Sequence, residues 1–326
     1  MAVYTQVDDD ALDAFLDLYD LGEARSFKGI AEGVENSNYY LETTHGRYIL
    51  TLFEKRVDAD DLPYFIGLKQ HLAAKGFACP KPIPARNGEA LQTLCGRPAV
   101  IVSFLDGLSP KRPSREHCRG IGEGLAQMHL ALADFPMRRE NALGPASFRA
   151  LWTSCRAGAE ALQTGLDDEI EADLHAITVA RAVSADLPRG TIHADLFPDN
   201  AFFLRQRFSG IIDFYFACTD VLAYDIAVCL NAWAFDDLGS SSGLQYAFSN
   251  GAALLAGYQS VRALTDAESA ALPALCQTAA LRFFLTRMVD WASTPADALV
   301  RPKNPLEYAQ RLRFHRRATG AQSYGF

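Results

Sequence analysis

The sequence predicts an α+β protein in two parts, an antiparallel sheet with one helix toward the N-terminus and a mostly helical remainder. Two observations carry this. Between residues 23 and 104, short alternating or apolar runs are punctuated by Gly33, His45-Gly46 and Asn87-Gly88, as in strands joined by turns. Beyond residue 115, apolar residues recur at three- and four-residue spacing, as on helices. A third feature is residues 190–216, GTIHADLFPDNAFFLRQRFSGIIDFYF, where a polar loop and two short strands interrupt the helical part.

In order, residues 8–19 place Leu12, Phe15, Leu16 and Tyr19 at helical spacing behind three acids suited to a helix start. Residues 25–30, 37–43 and 47–53 then read as an antiparallel meander. Its first turn, GIAEGVENSNYY, sets Gly29 and Gly33 beside Asn36, Ser37 and Asn38. A turn with free backbone N–H groups can fold over phosphates, although the same residues also make an ordinary hairpin turn. Residues 58–76 read as a helix with Leu62, Phe65, Ile66, Leu68 and Leu72 on its apolar side and Gly76 as its stop. CPKPIPARNGE is held extended by its prolines, and residues 90–94 and 98–104 form a hairpin leading into IVSFLDG. Residues 104–108 are the expected boundary, which divides the chain into 1–104 and 105–326.

The second part opens with REHCRGIGEGLAQMHLAL, whose stripe is Cys118, Ile121, Leu125, Met128 and Leu132. His129 lies near that stripe and reads as a core histidine with its hydrogen bonds satisfied. One or two helices are expected over 148–181. A buried helix is expected from about Tyr224, with Asp225 either capping it or bracing the central loop, and more helices over 243–318. The basic stretch 311–317 reads as a solvated or lightly packed helix end.

Composition bounds the function. A chain of 326 residues that is 49% hydrophobic and 21% charged can bury two cores and is not a disordered segment. A formal net charge of -8 argues against nucleic-acid binding through backbone electrostatics. The seven cysteines form no CxxC pair or regular framework, which fits a reducing, cytoplasmic setting. No eighteen-residue apolar run predicts a membrane span, and oligomeric state is not readable.

The chemistry is concentrated in the central stretch. There the strand expected over 210–214 carries Asp213 among Ile211, Ile212 and Phe214, a position costly for an acid unless a cation meets it. HADLFPDN places Asn200 five residues after Asp195, with Asp213 following, the order used by protein-kinase catalytic loops and their metal-binding aspartate. Phosphoryl transfer asks mainly for positioning and charge neutralisation. Asp195 would align the attacking hydroxyl, while Asn200 and Asp213 would supply a neutral and an anionic oxygen to Mg²⁺. Pro198 restricts the loop between them. Each residue alone is also an ordinary turn polar; the spacing of all three is what is specific.

The catalytic loop, together with GIIDFYFACTD, YDIAVCLNAW, GVENSNYYLETTHGRYILTLFEK and ALRFFLTRMVDW, resembles the aminoglycoside phosphotransferase and choline kinase superfamily, in particular its homoserine kinase branch. The resemblance covers nearly the whole chain. It implies a two-lobed protein-kinase-like fold, ATP in the cleft, Mg²⁺, and transfer of the γ-phosphoryl group to the side-chain hydroxyl of L-homoserine, in the route to threonine. It makes Asp195 the base or aligning residue, Asn200 and Asp213 metal ligands, and His193 and Asp225 supports of the catalytic loop. Nucleotide contacts are expected from Gly33, Ser37, Asn38 and Thr51, and from the hinge residues Ser103, Phe104 and Leu105.

The superfamily places a basic residue on the third strand, where this chain has Thr51, with Lys55 four residues later. The usual glutamate partner is missing near residues 64–66. Candidates for gripping the acceptor are Tyr215, Asp220, Asn231, Arg282, Arg287 and Asp290, although the charges among aromatics in TAALRFFLTRMVDW also read as a solvated face. Asp199, Asp220 and Asp237 leave room for a polycationic acceptor. The competing readings are a kinase of another alcohol or amino sugar (choline, methylthioribose or aminoglycoside type) and a non-catalytic nucleotide-binding protein.

Overall fold

A computed structural model describes residues 4–31, 36–54, 58–180, 186–237, 243–294 and 302–326. The expected turn residue Gly33 and the basic Lys55 lie outside these described residues.

Strand β2 (Ser37–Thr43) alternates strictly between buried and half-buried positions, because successive side chains of a strand point to opposite faces. It pairs antiparallel with β1 (Ala24–Gly29) and β3 (Arg47–Leu52). The hairpin β4 (Leu91–Leu94) and β5 (Arg97–Ser103) completes a five-stranded sheet ordered β1-β2-β3-β5-β4. On one face, Tyr39, Leu41, Leu50 and Ile101 pack against Leu12, Phe15 and Leu16 of helix α1 (Asp9–Leu16). The Asp8 carboxylate accepts the Ala11 N–H at 2.8 Å and caps that helix. On the other face, Phe53, Val100 and Val102 meet Leu62 and Ile66 of helix α2 (Leu62–Ala74). The expected helix 58–76 is shorter at its start, where a 3₁₀ turn at Ala59–Asp61 precedes it.

The rest is built on helices α3 (Arg115–Ala131), α4 (Pro145–Cys155), α5 (Ala159–Leu162) and α6 (Leu166–Ala180), followed by the strand ladders of the central stretch. β6 (Arg189–Ile192) pairs with β9 (Cys218–Val221), and β7 (Ala201–Leu204) pairs with β8 (Arg207–Ile211). Helix α7 (Leu222–Trp233) follows, then the ladder of β10 (Phe235–Asp237) and β11 (Leu244–Tyr246). Helices α8 (Phe248–Gln259), α9 (Asp266–Ser293) and α10 (Leu306–His315) close the chain. Helices α3 and α8 meet backbone to backbone: a Cβ at Gly122 would lie 2.1 Å from the Leu254 carbonyl oxygen, so only glycine fits.

Two expectations need correction. The strand expected over 210–214 ends at Ile211, because Asp213 at φ 62° leaves the extended region. Asp213 therefore lies just beyond the strand. The basic stretch 311–317 is not merely solvated. Arg311 and His315 are buried, with Arg311 Nε donating to the Asn231 carbonyl at 2.9 Å, and Arg313 and Arg316 pair with Glu169. Among the described residues, no helix is long and apolar enough to cross a membrane.

Candidate active site

Strand β6 delivers His193, Ala194 and Asp195 to the end of a ladder, and the buried helix α7 brings Asp225 up behind them. Asp225 is fully buried and accepts the backbone N–H groups of His193 (2.7 Å) and Ala194 (2.8 Å). His129 Nε2 meets the same carboxylate at 3.1 Å, while His129 Nδ1 meets the Tyr258 hydroxyl at 2.8 Å. Burial pushes Asp225 up, but its bonds with His129 and the neighbouring His193 bring it below the usual carboxylate range. Of the two roles open from sequence, Asp225 braces the loop rather than capping α7, whose N-terminus carries no side-chain cap. His129 is a buried, satisfied histidine, and one that supports that brace.

The loop is tied as firmly to the segment before Asp213. His193 Nδ1 accepts the Asp195 N–H at 3.3 Å, so Nε2 carries the proton and donates to the Ile212 carbonyl at 2.9 Å. The Ile212 N–H donates to the Asn200 carbonyl at 2.9 Å. Both polar groups of the Ile212 backbone are thus bound to the loop, which fixes Asp213 relative to Asn200. The Asn200 amide nitrogen donates to the Asp195 carbonyl at 2.8 Å, so its Oδ1 is the atom that could serve a cation.

The Asp195 side chain keeps 20% of its surface exposed, with Arg282 Nη2 3.5 Å from its Oδ1. Burial raises the Asp195 carboxyl above its usual range, opposed chiefly by Arg282, which makes it a better proton acceptor. Arg282 Nη1 also donates to the Ala194 carbonyl, and its guanidinium lies 4.2 Å from the Phe283 ring centroid.

Donor chemistry at this site suits a hard cation. One carboxylate (Asp213) and one amide oxygen (Asn200) match Mg²⁺, which takes one or two protein oxygens and completes its shell with phosphates and water. Among the described residues, no three His, Cys, Asp or Glu side chains gather as a separate metal cage.

The nucleotide-side expectations divide. The Thr51 hydroxyl donates to Asn38 Oδ1 at 2.7 Å across β2 and β3. Ser37 is fully buried, donates to Glu54 at 2.7 Å and accepts the Tyr4 N–H at 2.8 Å, so it tethers the N-terminal segment instead of facing a phosphate. Ser103 Oγ accepts the Lys81 N–H, and the Phe104 N–H donates to the Arg47 carbonyl; Leu105 packs beside Gly210.

Sequence reasoning missed Lys69. It is 6% exposed on α2, with its ammonium 5.5 Å from the Tyr215 ring centroid. Burial pulls it down to about 8, while Cys79 and the Asp213 carboxylate act in the opposite direction. A lysine inside the apolar stripe of a helix was the available signal.

Of the acceptor candidates, Tyr215 and Arg282 line one cavity of about 260 Å³, and Asp220 stands behind it, accepting from Asn141 at 2.7 Å. The others lie elsewhere. Asn231 is fully buried between the Cys276 carbonyl, Arg311 and His315. Arg287 pairs with Glu307 at 2.7 Å, and Asp290 is exposed, its carbonyl accepting from the end of α9. A larger hollow of about 620 Å³ beside Arg156 and Asp167 is lined by none of the loop residues.

Comparison with known proteins agrees with this geometry. The model of the phosphotransferase enzyme family matches residues 26–264. A homoserine kinase of Hyphomonas neptunium is 68% identical over 327 residues, covering all of both chains. One of Xanthobacter autotrophicus is 57% identical over 325 residues, covering 100% of this chain and 99% of that one. Among solved structures, an aminoglycoside phosphotransferase from Alicyclobacillus acidocaldarius superposes with a TM-score of 0.66 at 16% identity, over 96% of this chain and 92% of that one. At that identity the likeness is one of fold, the two-lobed kinase-like fold.

Proposed function

The chain belongs to the phosphotransferase enzyme family, and from that premise we propose that it transfers the γ-phosphoryl group of ATP to the side-chain hydroxyl of L-homoserine. The observation that supports the chemistry best is the double tie of Ile212, the residue before Asp213, to His193 and Asn200, with Asn200 in turn bound to the Asp195 carbonyl. The acceptor follows from full-length relatives named homoserine kinase.

In this reading Asp195 accepts a hydrogen bond from the acceptor hydroxyl, aligns its oxygen and takes its proton as the new ester bond forms and the bond from the γ-phosphorus to the bridging oxygen breaks, releasing ADP. Its raised affinity for a proton suits that role. Asn200 and Asp213 would hold Mg²⁺, which when bound neutralises charge on the phosphates. His193, Asp225 and His129 do not touch substrate; they hold the loop in its left-handed turn at Ala194 (φ 63°). We place the lobe boundary at 104/105, with Ser103, Phe104 and Leu105 bordering the adenine and Asn38 and Thr51 on the phosphate side. Thr51 can give a hydroxyl hydrogen bond but no positive charge.

The test is an acceptor panel of L-homoserine, choline, methylthioribose and kanamycin with labelled ATP. Label on homoserine is the expected result; label only on another acceptor would sink the reading. ATP binding without turnover on any of them would make the chain a non-catalytic nucleotide binder.

A further inference from the structure

The cavity of about 260 Å³ beside the catalytic loop has an unusual charge pattern. At one end is Arg282, 3% exposed, reaching Asp195 with Nη2 and leaving a buried Nε without a hydrogen-bond partner. The rest of the wall includes Arg139 from the loop before α4, and Asp58 and Asp61 from the segment leading into α2. Arg139 Nε and Nη2 both lie 2.7 Å from Asp61 Oδ2, and Nη1 donates to the Ala217 carbonyl at 3.3 Å. Arg139 therefore has N–H donors to spare, and Asp61 keeps Oδ1. Its guanidinium also lies 5.1 Å from the Phe65 ring centroid, so two planes of contact fix it. Asn141, held by Asp220 at 2.7 Å, completes the polar wall.

We propose that this cavity seats the amino-acid end of the acceptor, with Arg139 taking its α-carboxylate and Asp61, helped by Asp58, taking its α-ammonium. The proposal rests on the homoserine reading above and names the residues that read that substrate. An α-amino acid carries both charges on one carbon, which calls for a guanidinium and a carboxylate side by side, as Arg139 and Asp61 are. A bidentate guanidinium suits a carboxylate better than a point charge does. The hydroxyl, two carbons further along, then points toward the Arg282 end and Asp195. Size agrees: the cavity falls below the roughly 300–1,000 Å³ of pockets for drug-sized ligands, too small for a multi-ring amino sugar. Charge agrees as well, since the wall sets two arginines against two aspartates, a balance that suits one zwitterion. Asp61 belongs to the lobe of α2 and Arg139 to the helical lobe, so an acceptor touching both draws the lobes together.

Steady-state kinetics on the full-length protein tests this. Arg139→Met should raise KM for L-homoserine about 10- to 100-fold, the scale of a lost charge-assisted hydrogen bond, with KM for ATP nearly unmoved. It should also erase the preference for L-homoserine over 3-aminopropan-1-ol, which lacks the carboxylate. Asp61→Asn should likewise narrow the preference over 4-hydroxybutyrate, which lacks the ammonium. The exchange Asp61→Arg with Arg139→Asp restores an ion pair between the lobes but reverses its order in the wall. Continued loss of homoserine binding in that double variant is expected; full recovery would reduce the pair to a structural tie and overturn the proposal. Wild-type turnover with L-homoserine alongside an unmoved KM in Arg139→Met would overturn it alone. Absence of wild-type turnover with L-homoserine would overturn the functional reading as well.

Discussion

The Asp225 carboxylate accepts the backbone N–H of Ala194 at 2.8 Å, and so holds a left-handed residue immediately before Asp195. A non-glycine residue at φ 63° costs roughly 1–2 kcal/mol, and it persists because its neighbours over-determine it. Here the Ala194 nitrogen is bound by Asp225 and its carbonyl by Arg282.

Replacing Asp225 by Asn therefore tests the brace. An amide has one acceptor oxygen where the carboxylate has two, so one loop N–H loses its partner. The expected loss is about 1–3 kcal/mol of stability, the scale of an unsatisfied buried group, together with reduced turnover. Urea unfolding and kcat measured on the same preparation check this; an unchanged midpoint with full activity would contradict it.

Asp195→Asn should behave differently. Its carboxylate faces the cleft and meets the fold only through the 3.5 Å contact with Arg282, which an amide oxygen can keep, so the unfolding midpoint should hold while turnover falls by about two to four powers of ten. Near-normal turnover would remove Asp195 from the role of aligning the hydroxyl.

Asp213→Ala should weaken MgATP binding, because it removes the anionic metal ligand. Lys69→Met should weaken it less, and if Lys69 acts through the Asp213 charge the double variant should bind no more weakly than Asp213→Ala alone. Calorimetry across a magnesium titration reads all three; simple additivity would show that Lys69 acts on something else.

Acid sensitivity should trace in part to His315. Its ring is bound to the Tyr324 hydroxyl and to Asn231 Oδ1, both at 3.0 Å, and burial with the nearby Arg311 pushes it down to about 3 from 6.5. The unfolded chain binds this proton near pH 6.5 and the folded chain does not. The stabilisation is therefore complete above pH 6.5 and is lost as pH falls toward 3, by up to about 1.4 kcal/mol per pH unit for one proton. Burial shifts His193 in the same direction. The thermal midpoint should fall between pH 7.5 and 5, and less steeply in His315→Gln. Parallel slopes for the two proteins would contradict the assignment.

What could be read from sequence was local. The spacing of Asp195, Asn200 and Asp213 lies within one loop and two strands, and the β1–β3 meander follows from alternation and turn residues. What could not be read depends on partners far along the chain. His129 reaches Asp225 across 96 positions, and Arg139 reaches Asp61 across 78. Nothing in either neighbourhood marks the pairing. Asn231 was a candidate by its position after the catalytic loop, yet α7 is buried nearly throughout and the Asn231 carbonyl and amide are claimed by Arg311 and His315. The end of β8 was missed because an apolar run says nothing about the positive φ of Asp213.

The most direct test of the account is ³¹P NMR of the products formed by the wild-type protein from MgATP and L-homoserine. A new phosphomonoester resonance, coupled to the terminal methylene protons of homoserine and growing with ADP, is the predicted result. ADP and inorganic phosphate alone, with no ester formed, would contradict the account.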